Sequence, residues 1–421
     1  MKFPQLFSST IIVLALGIAS STAAQPNHYE IDARIDPSTG ETQAHLVMSL
    51  GFDNPVDTLA FLLHGDLEIT SIEAPGLLDF HRADFQIPGS DFKHLTRVEL
   101  DFEDQAESFQ ITWQYSGNLL DEHIEMGQAA ITEQWMELPI EAMWVPFEES
   151  MRLRFAFDAR IHLPDGFDLL STGQVQKDSS SWQIKSSVPG PDVPLIASND
   201  MRIERYARGE ATPIEIYHAG SGKELVNYIG EHTAAMIDRY EDRFQVSHQA
   251  DALRIALSPL ERQFAHSYAR PGLIALEHGI EPGERLLGLI AHEAAHLWWF
   301  NSIDTQSRHN FLNEAFAEYL SWMELGHVFG MDSYQERIDQ AREATRDAPG
   351  FDEWTPAHNR ILSYTKGPLL LHELRGRIGD KNFDRFLQNL LRTRAGTLEA
   401  MIDSLETVAG KDEAQWLQDS L

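Results

Sequence analysis

The segment His292-Glu293-Ala294-Ala295-His296 holds two imidazoles four residues apart. On a helix, residues i and i+4 stand one above the other on a single face. Two imidazoles so placed can share one metal ion, and the glutamate between them reaches a water at that ion. Zinc hydrolysis takes three protein ligands and leaves one position open. His292 and His296 supply two of them. Glu314, in the run Asn313-Glu314-Ala315-Phe316-Ala317-Glu318-Tyr319, is the natural third, because it begins the next helix and a loop can bring it back. Glu293 adjoins a ligand but points slightly aside. That suits a general base that takes a proton from water and passes it to a leaving amine. The expected cofactor is one Zn2+ per chain.

Such a site needs a support that keeps water out. Leu286, Leu287, Leu289 and Ile290 precede the motif, and Leu297, Trp298, Trp299 and Phe300 follow it. The helix is apolar nearly all round and therefore buried. Buried histidine and glutamate are costly unless paired or bound to metal, so this setting favours the metal over a chance pair of surface histidines. From Pro282 onward the chain reads as mostly helical. Helices are expected at 283–300, 312–325, 366–378, 382–393, 398–408 and 412–420, with Gly326, Gly379 and Gly410 where helices stop. Ahead of them come a strand from Pro213 to His218, a helix opened by a Ser221/Glu224 capping box, and strands at Leu253 to Leu257 and Leu273 to Leu276.

Residues 25–207 read differently. Tyr29 to Ile35, Ala44 to Leu50, Val98 to Phe102, Phe109 to Trp113 and Arg154 to Ile161 alternate apolar and polar residues, with turn residues Asp36 to Gly40 after the first. The expected fold is multi-domain, β then α/β: an N-terminal β-sheet or sandwich domain over 25–207, then a mixed and mostly helical domain over 208–421.

A chain of 421 residues fits two domains. Its net charge of −32 repels phosphate backbones and anionic lipid, so nucleic acid is not an expected partner. The first 24 residues have the form of an export signal: Lys2, an apolar run from Ile11 to Ile18, and small residues from Ser20 to Ala24. That run is short for a membrane span, and no later segment is apolar enough to cross a bilayer. The absence of cysteine excludes a thiol nucleophile, a disulfide framework and a lipoprotein anchor. A periplasmic or secreted location is expected, with no stable membrane span once the signal is cleaved.

Taken together, these motifs resemble the aminopeptidase N family of zinc peptidases, of the gluzincin type with H-E-x-x-H and a distal glutamate. Asn313 to Tyr319 looks like that family's N-E-G-F-A-E-Y segment, and Glu314 matches its zinc glutamate. The spacer of residues 297–313 is one residue shorter than usual there, a change that a loop absorbs. Ser363-Tyr364-Thr365-Lys366-Gly367 looks like the family's Y-x-K-G element, which implies that Tyr364 donates a hydrogen bond to the tetrahedral oxyanion. A hydrolase of this kind needs such a donor besides its metal, and a phenol provides it without changing charge. The resemblance also implies a peptide substrate and an N-terminal β domain ending near Asp192 to Ser198. A thermolysin-like zinc catalytic domain then follows, with no counterpart of the family's large C-terminal helical domain: a minimal member. Glu318 is read either as a hydrogen-bond partner of a ligand histidine or as a solvated helix residue.

One family element is missing. Aligning the family's G-L-I on Gly272-Leu273-Ile274 puts His266-Ser267-Tyr268-Ala269-Arg270 where that family has G-A-M-E-N, whose glutamate holds the substrate's free α-amine. Glu133, Glu137, Glu148 and Glu277 are the candidates to replace that acid. Arg270 is read as a solvated loop arginine, or as a partner for a carboxylate-bearing substrate. The strand from Leu273 to Leu276 is expected at a sheet edge, where an extended peptide can pair. The sequence thus supports an aminopeptidase-like zinc metallopeptidase. The alternatives are a metallopeptidase of endopeptidase or other specificity, including a relative of the glycyl aminopeptidases, and a noncatalytic peptide-binding protein on the same fold. An intact Glu293 and Tyr364 favour an enzyme.

Overall fold

The computed structural model describes residues 27–87, 94–119, 130–209, 211–248, 252–259, 267–277, 279–299 and 311–421. The expected export signal lies outside them.

Alternation makes the first domain a sheet. The strand His28–Ile35 buries Tyr29, Ile31, Ala33 and Ile35 and exposes Glu30, Asp32 and Arg34 between them. It pairs antiparallel with Glu41–His64 and parallel with Phe155–His162. Val98 to Phe102 and Phe109 to Trp113, expected as two strands, belong to one strand of 24 residues, Leu95–Asn118. That strand pairs along most of its length with Glu41–His64, and register shifts between Gly51 and Thr58 break the ladder midway. A bulge interrupts the alternation without ending the strand, so the sequence looks like two. Nine strands form this sheet, and four shorter ones, among them Trp135–Leu138 and Leu195–Ser198, form a second.

The second domain is built on a five-stranded sheet in the order Arg202–Arg208, Ala211–His218, Leu253–Ser258, Leu273–Glu277, Ser267–Arg270. Its first strand begins at Arg202, ahead of the expected boundary at 208. Leu273–Glu277 is paired on both sides. The edge is Ser267–Arg270, which corrects the expectation for Leu273 to Leu276. A run as apolar as Leu-Ile-Ala-Leu suits an interior parallel strand better than an edge.

Helices pack against this sheet: α1 Lys223–Phe244, α2 Glu284–Ala295, α3 Phe316–Phe329 and α4 Met331–Ala344, followed by Gly367–Ile378, Asp380–Thr393, Leu398–Ala409 and Lys411–Ser420. Three expectations change. The N-cap of α1 is Gly222 with no side-chain cap, and the Ser221 N–H donates to His218 instead of opening a capping box. Gly326 does not end α3, which runs on to Gly330 at φ +99°. A Cβ at Gly326 would lie 2.8 Å from that of Tyr334, so the glycine serves close packing of α3 on α4. The helix α4 was not expected, because it buries only Tyr334, Ile338 and Ala341 in an otherwise polar sequence. Gly379 and Gly410, both at positive φ, do end helices.

The two domains meet over a small apolar cluster. Trp135, Leu170 and Ile196 come from the first; Ala256, Tyr268, Leu273 and Ala275 come from the second. Beside it, Arg270 Nε lies 2.8 Å from both carboxylate oxygens of Asp192, and both side chains are buried. Arg254 also crosses, donating to the carbonyl of Gly173 at 2.6 Å. Arg270 is therefore neither a solvated loop residue nor free for a substrate carboxylate. Its charge is spent on joining the domains. Replacing Asp192 by Asn leaves that guanidinium buried without its counter-charge and is expected to destabilise the protein by about 3–5 kcal/mol. Denaturant unfolding measures this, and a double replacement of Asp192 and Arg270 by leucine should cost less than Asp192→Asn alone.

Candidate active site

α2 is buried along the motif because its neighbours on every side are apolar, and α3 lies against it, with Ser321 Oγ donating to the Gly288 carbonyl at 2.8 Å. The packing brings His292, His296 and Glu314 together. His292 Nε2 lies 3.1 Å from His296 Nε2 and 3.2 Å from Glu314 Oε2, and His296 Nε2 lies 3.5 Å from the same oxygen. The histidines are each 7% exposed and Glu293 is 5% exposed.

The far side of each imidazole is fixed. His292 Nδ1 lies 2.9 Å from Glu318 Oε2, and His296 Nδ1 lies 2.9 Å from the Trp299 carbonyl. With acceptors there, both rings carry the proton on Nδ1 and aim an Nε2 lone pair inward. Glu318 is itself held by the Trp322 indole N–H at 2.8 Å. Of the two readings of Glu318, the geometry selects the histidine partner. Asn313 Nδ2 donates to Glu314 Oε1 at 2.9 Å and leaves Oε2 facing the imidazoles.

These donors fit zinc. Tetrahedral ligands at roughly 2.0–2.1 Å from zinc stand about 3.3 Å apart, close to the spacing found. The electrostatics agree. Burial works against an imidazolium at His292, yet Glu314 and Glu318 push its pKa well above the ordinary value. Glu314 shows the converse: burial favours its neutral form, but His296 and His292 hold it well below the usual carboxylate range. The carboxylates demand positive charge at this spot, which a divalent cation supplies.

Glu314 and Tyr364 each sit on a π-helical turn, Phe311–Ala315 and Leu362–Lys366. Such turns carry one residue more than an α turn and re-aim side chains. The Tyr364 ring stacks on His292 with centroids 5.7 Å apart, and the residue is 36% exposed, on the open side of the site. Burial of its hydroxyl end, then the carboxylates Glu314, Glu293 and Glu318, push its pKa well above the ordinary value, so it stays a neutral donor. Gly367 makes the approach possible: a Cβ there would fall 2.5 Å from that of Ala315. Lys366 points away, donating to the Pro349 carbonyl at 2.6 Å.

Ser267 is the contact that sequence reasoning missed. Its Oγ donates to Glu293 Oε1 at 2.6 Å, and both side chains are buried. The sole hint was its place among the five residues where the amine-binding element was sought. Of the four candidate acids, Glu133 is exposed, Glu148 bonds Ser150, and Glu277 is half-buried at the end of its strand. Glu137 is the buried one, 1% exposed, accepting from the Trp135 indole at 3.2 Å.

An H-E-x-x-H helix completed by a glutamate from the next helix, on a sheet-and-helix domain behind a β-rich one, defines the zinc metallopeptidase class of the gluzincin type. Residues 228–417 match the Peptidase family M1 domain. The fold is also that of an M1 zinc metallopeptidase from Deinococcus radiodurans, with TM-score 0.73, 16% identity, and coverage of 93% of this chain and 92% of that one. A variant of the Deinococcus protein bound to a Tyr-Ser-Ala substrate gives TM-score 0.71 at 16% identity, covering 94% of both chains. A Saccharolobus solfataricus protein named "Probable aminopeptidase 1" is 22% identical over 326 residues, 70% of this chain. The chain spans 41% of the length of that curated relative.

Two outcomes follow from this geometry. Glu318→Gln should weaken zinc binding about 10–100-fold in a chelator competition, with the fold intact. Gly367→Ala should force the two π turns apart and lower turnover far more than substrate affinity.

Proposed function

We propose that the chain is an exported zinc-dependent peptidase that hydrolyses peptide bonds in an aminopeptidase-like manner. The observation that carries this reading is the convergence of His292, His296 and Glu314 with Glu293 and Tyr364 around one buried point. His292, His296 and Glu314 would hold zinc. When bound, zinc supplies Lewis acidity, acidifying water and polarising the scissile carbonyl. Glu293 accepts the proton of the attacking water and returns it to the leaving nitrogen. Tyr364 donates its phenolic hydrogen to the oxyanion, a contact strongest where charge develops. Glu318 and the Trp299 carbonyl hold the imidazoles in the required tautomer. The edge strand Ser267–Arg270 offers main-chain groups to an extended peptide.

The aminopeptidase character is supported by the curated relative's name, and Glu137, buried beside Trp135, is the candidate for an amine-binding acid. One observation favours a second reading, an endopeptidase. The edge strand carries no acid, and Ala269 stands where the related family has its amine-binding glutamate.

Glu293→Gln should keep one zinc per chain and lower kcat by about 100-fold or more; near-native turnover would remove Glu293 as the base. Tyr364→Phe should lower kcat by about 100-fold with little change in KM. Cleavage of peptides with a free N-terminus and not of N-blocked ones supports the aminopeptidase reading, and the reverse supports the endopeptidase.

A further inference from the structure

Ser267 meets the site from the edge strand of the sheet. Its hydroxyl lies 2.6 Å from Glu293 Oε1 in a position closed to solvent. A buried hydroxyl donating to a buried carboxylate is a strong contact, since the acceptor carries charge. It also selects one oxygen. With Oε1 engaged by Ser267, Oε2 is left to handle the proton, and the carboxylate can no longer turn freely about its last bond.

The strand that delivers the hydroxyl is itself fixed. It pairs with Leu273–Glu277 along its whole length, from Ser267 opposite Leu276 to Arg270 opposite Leu273. Its far end is tied to Asp192 of the first domain through Arg270. The serine is thus held by a ladder on one side and a buried ion pair at the end.

We infer that Ser267 is a positioning residue for the general base: it fixes the plane of the Glu293 carboxylate and reserves Oε2 for proton transfer. This rests on the proposed role of Glu293. It assigns catalytic importance to a position at which the related family's element shows alanine, so the hydroxyl is a feature of this chain.

The test uses the full chain loaded with zinc, comparing wild type, Ser267→Ala and Ser267→Thr. Loss of a hydrogen bond to a charged group predicts a fall in kcat of about 10-fold or more for Ser267→Ala. KM and zinc content should stay within about twofold of wild type, because no ligand or substrate contact is removed. Ser267→Thr, which keeps the hydroxyl, should recover most of kcat. Wild-type kcat in Ser267→Ala would overturn the proposal, and so would an equal loss in both variants. If Glu293→Gln retains activity, the base assignment fails instead, so the two failures are distinguishable. Crystal structures give a readout independent of turnover. Zinc-loaded wild type should show the Glu293 carboxylate in one orientation within hydrogen-bond distance of Ser267 Oγ, and Ser267→Ala should show it rotated or in two orientations. A wild-type separation beyond hydrogen-bond reach would overturn the proposal whatever the kinetics.

Discussion

Two imidazoles and a carboxylate held with their facing atoms 3.1–3.5 Å apart, away from water, form a cluster that is stable only around positive charge. Much of the second domain is arranged to impose that cluster. α2 is buried from Ile290 to Ala295, which keeps the cluster away from water. Glu318, Trp322 and the Trp299 carbonyl then set the tautomers, so that the cost of ordering the rings is met before any ion arrives. The π turn at Phe311–Ala315 turns Glu314 inward without moving α3 from its packing on α2. A second π turn brings Tyr364 to the same point, and Gly367 removes the one atom that would keep the two apart.

The edge strand connects this chemistry to the architecture. At one end Ser267 holds the Glu293 carboxylate; at the other Arg270 closes an ion pair with Asp192. One four-residue strand therefore reaches the proposed base at one end and the first domain at the other. The N-terminal domain also contacts this strand, through the Arg270–Asp192 pair and the apolar cluster around Tyr268. The same strand departs from the related family's amine-binding element, and the departure is structured. Ser267 bonds Glu293, and Arg270 pairs with Asp192.

The convergence of His292, His296 and Glu314 was legible in the sequence because helical periodicity alone fixes the relation of His292 to His296, and Glu314 opens the next helix in a recognisable run. Glu318 was half legible: its distance along the helix allowed the contact with His292, but nothing local excluded solvent. Arg270 was misread, since its partner lies in another domain, 78 positions earlier in the chain. Ser267 was missed for the same reason, as its contact with Glu293 spans the sheet–helix packing, which no local pattern encodes. The edge was placed on the wrong strand because apolar runs signal burial and carry no information on pairing order. The π turns were invisible, as both read as ordinary helix starts.

The central claim is that His292, His296 and Glu314 form one zinc site. Anomalous diffraction at the zinc edge from crystals of the zinc-loaded protein tests it most directly. The account predicts a single strong peak per chain, bonded to His292 Nε2, His296 Nε2 and Glu314. A principal peak elsewhere, or a folded protein that takes up no zinc at this point under saturating metal, would contradict it.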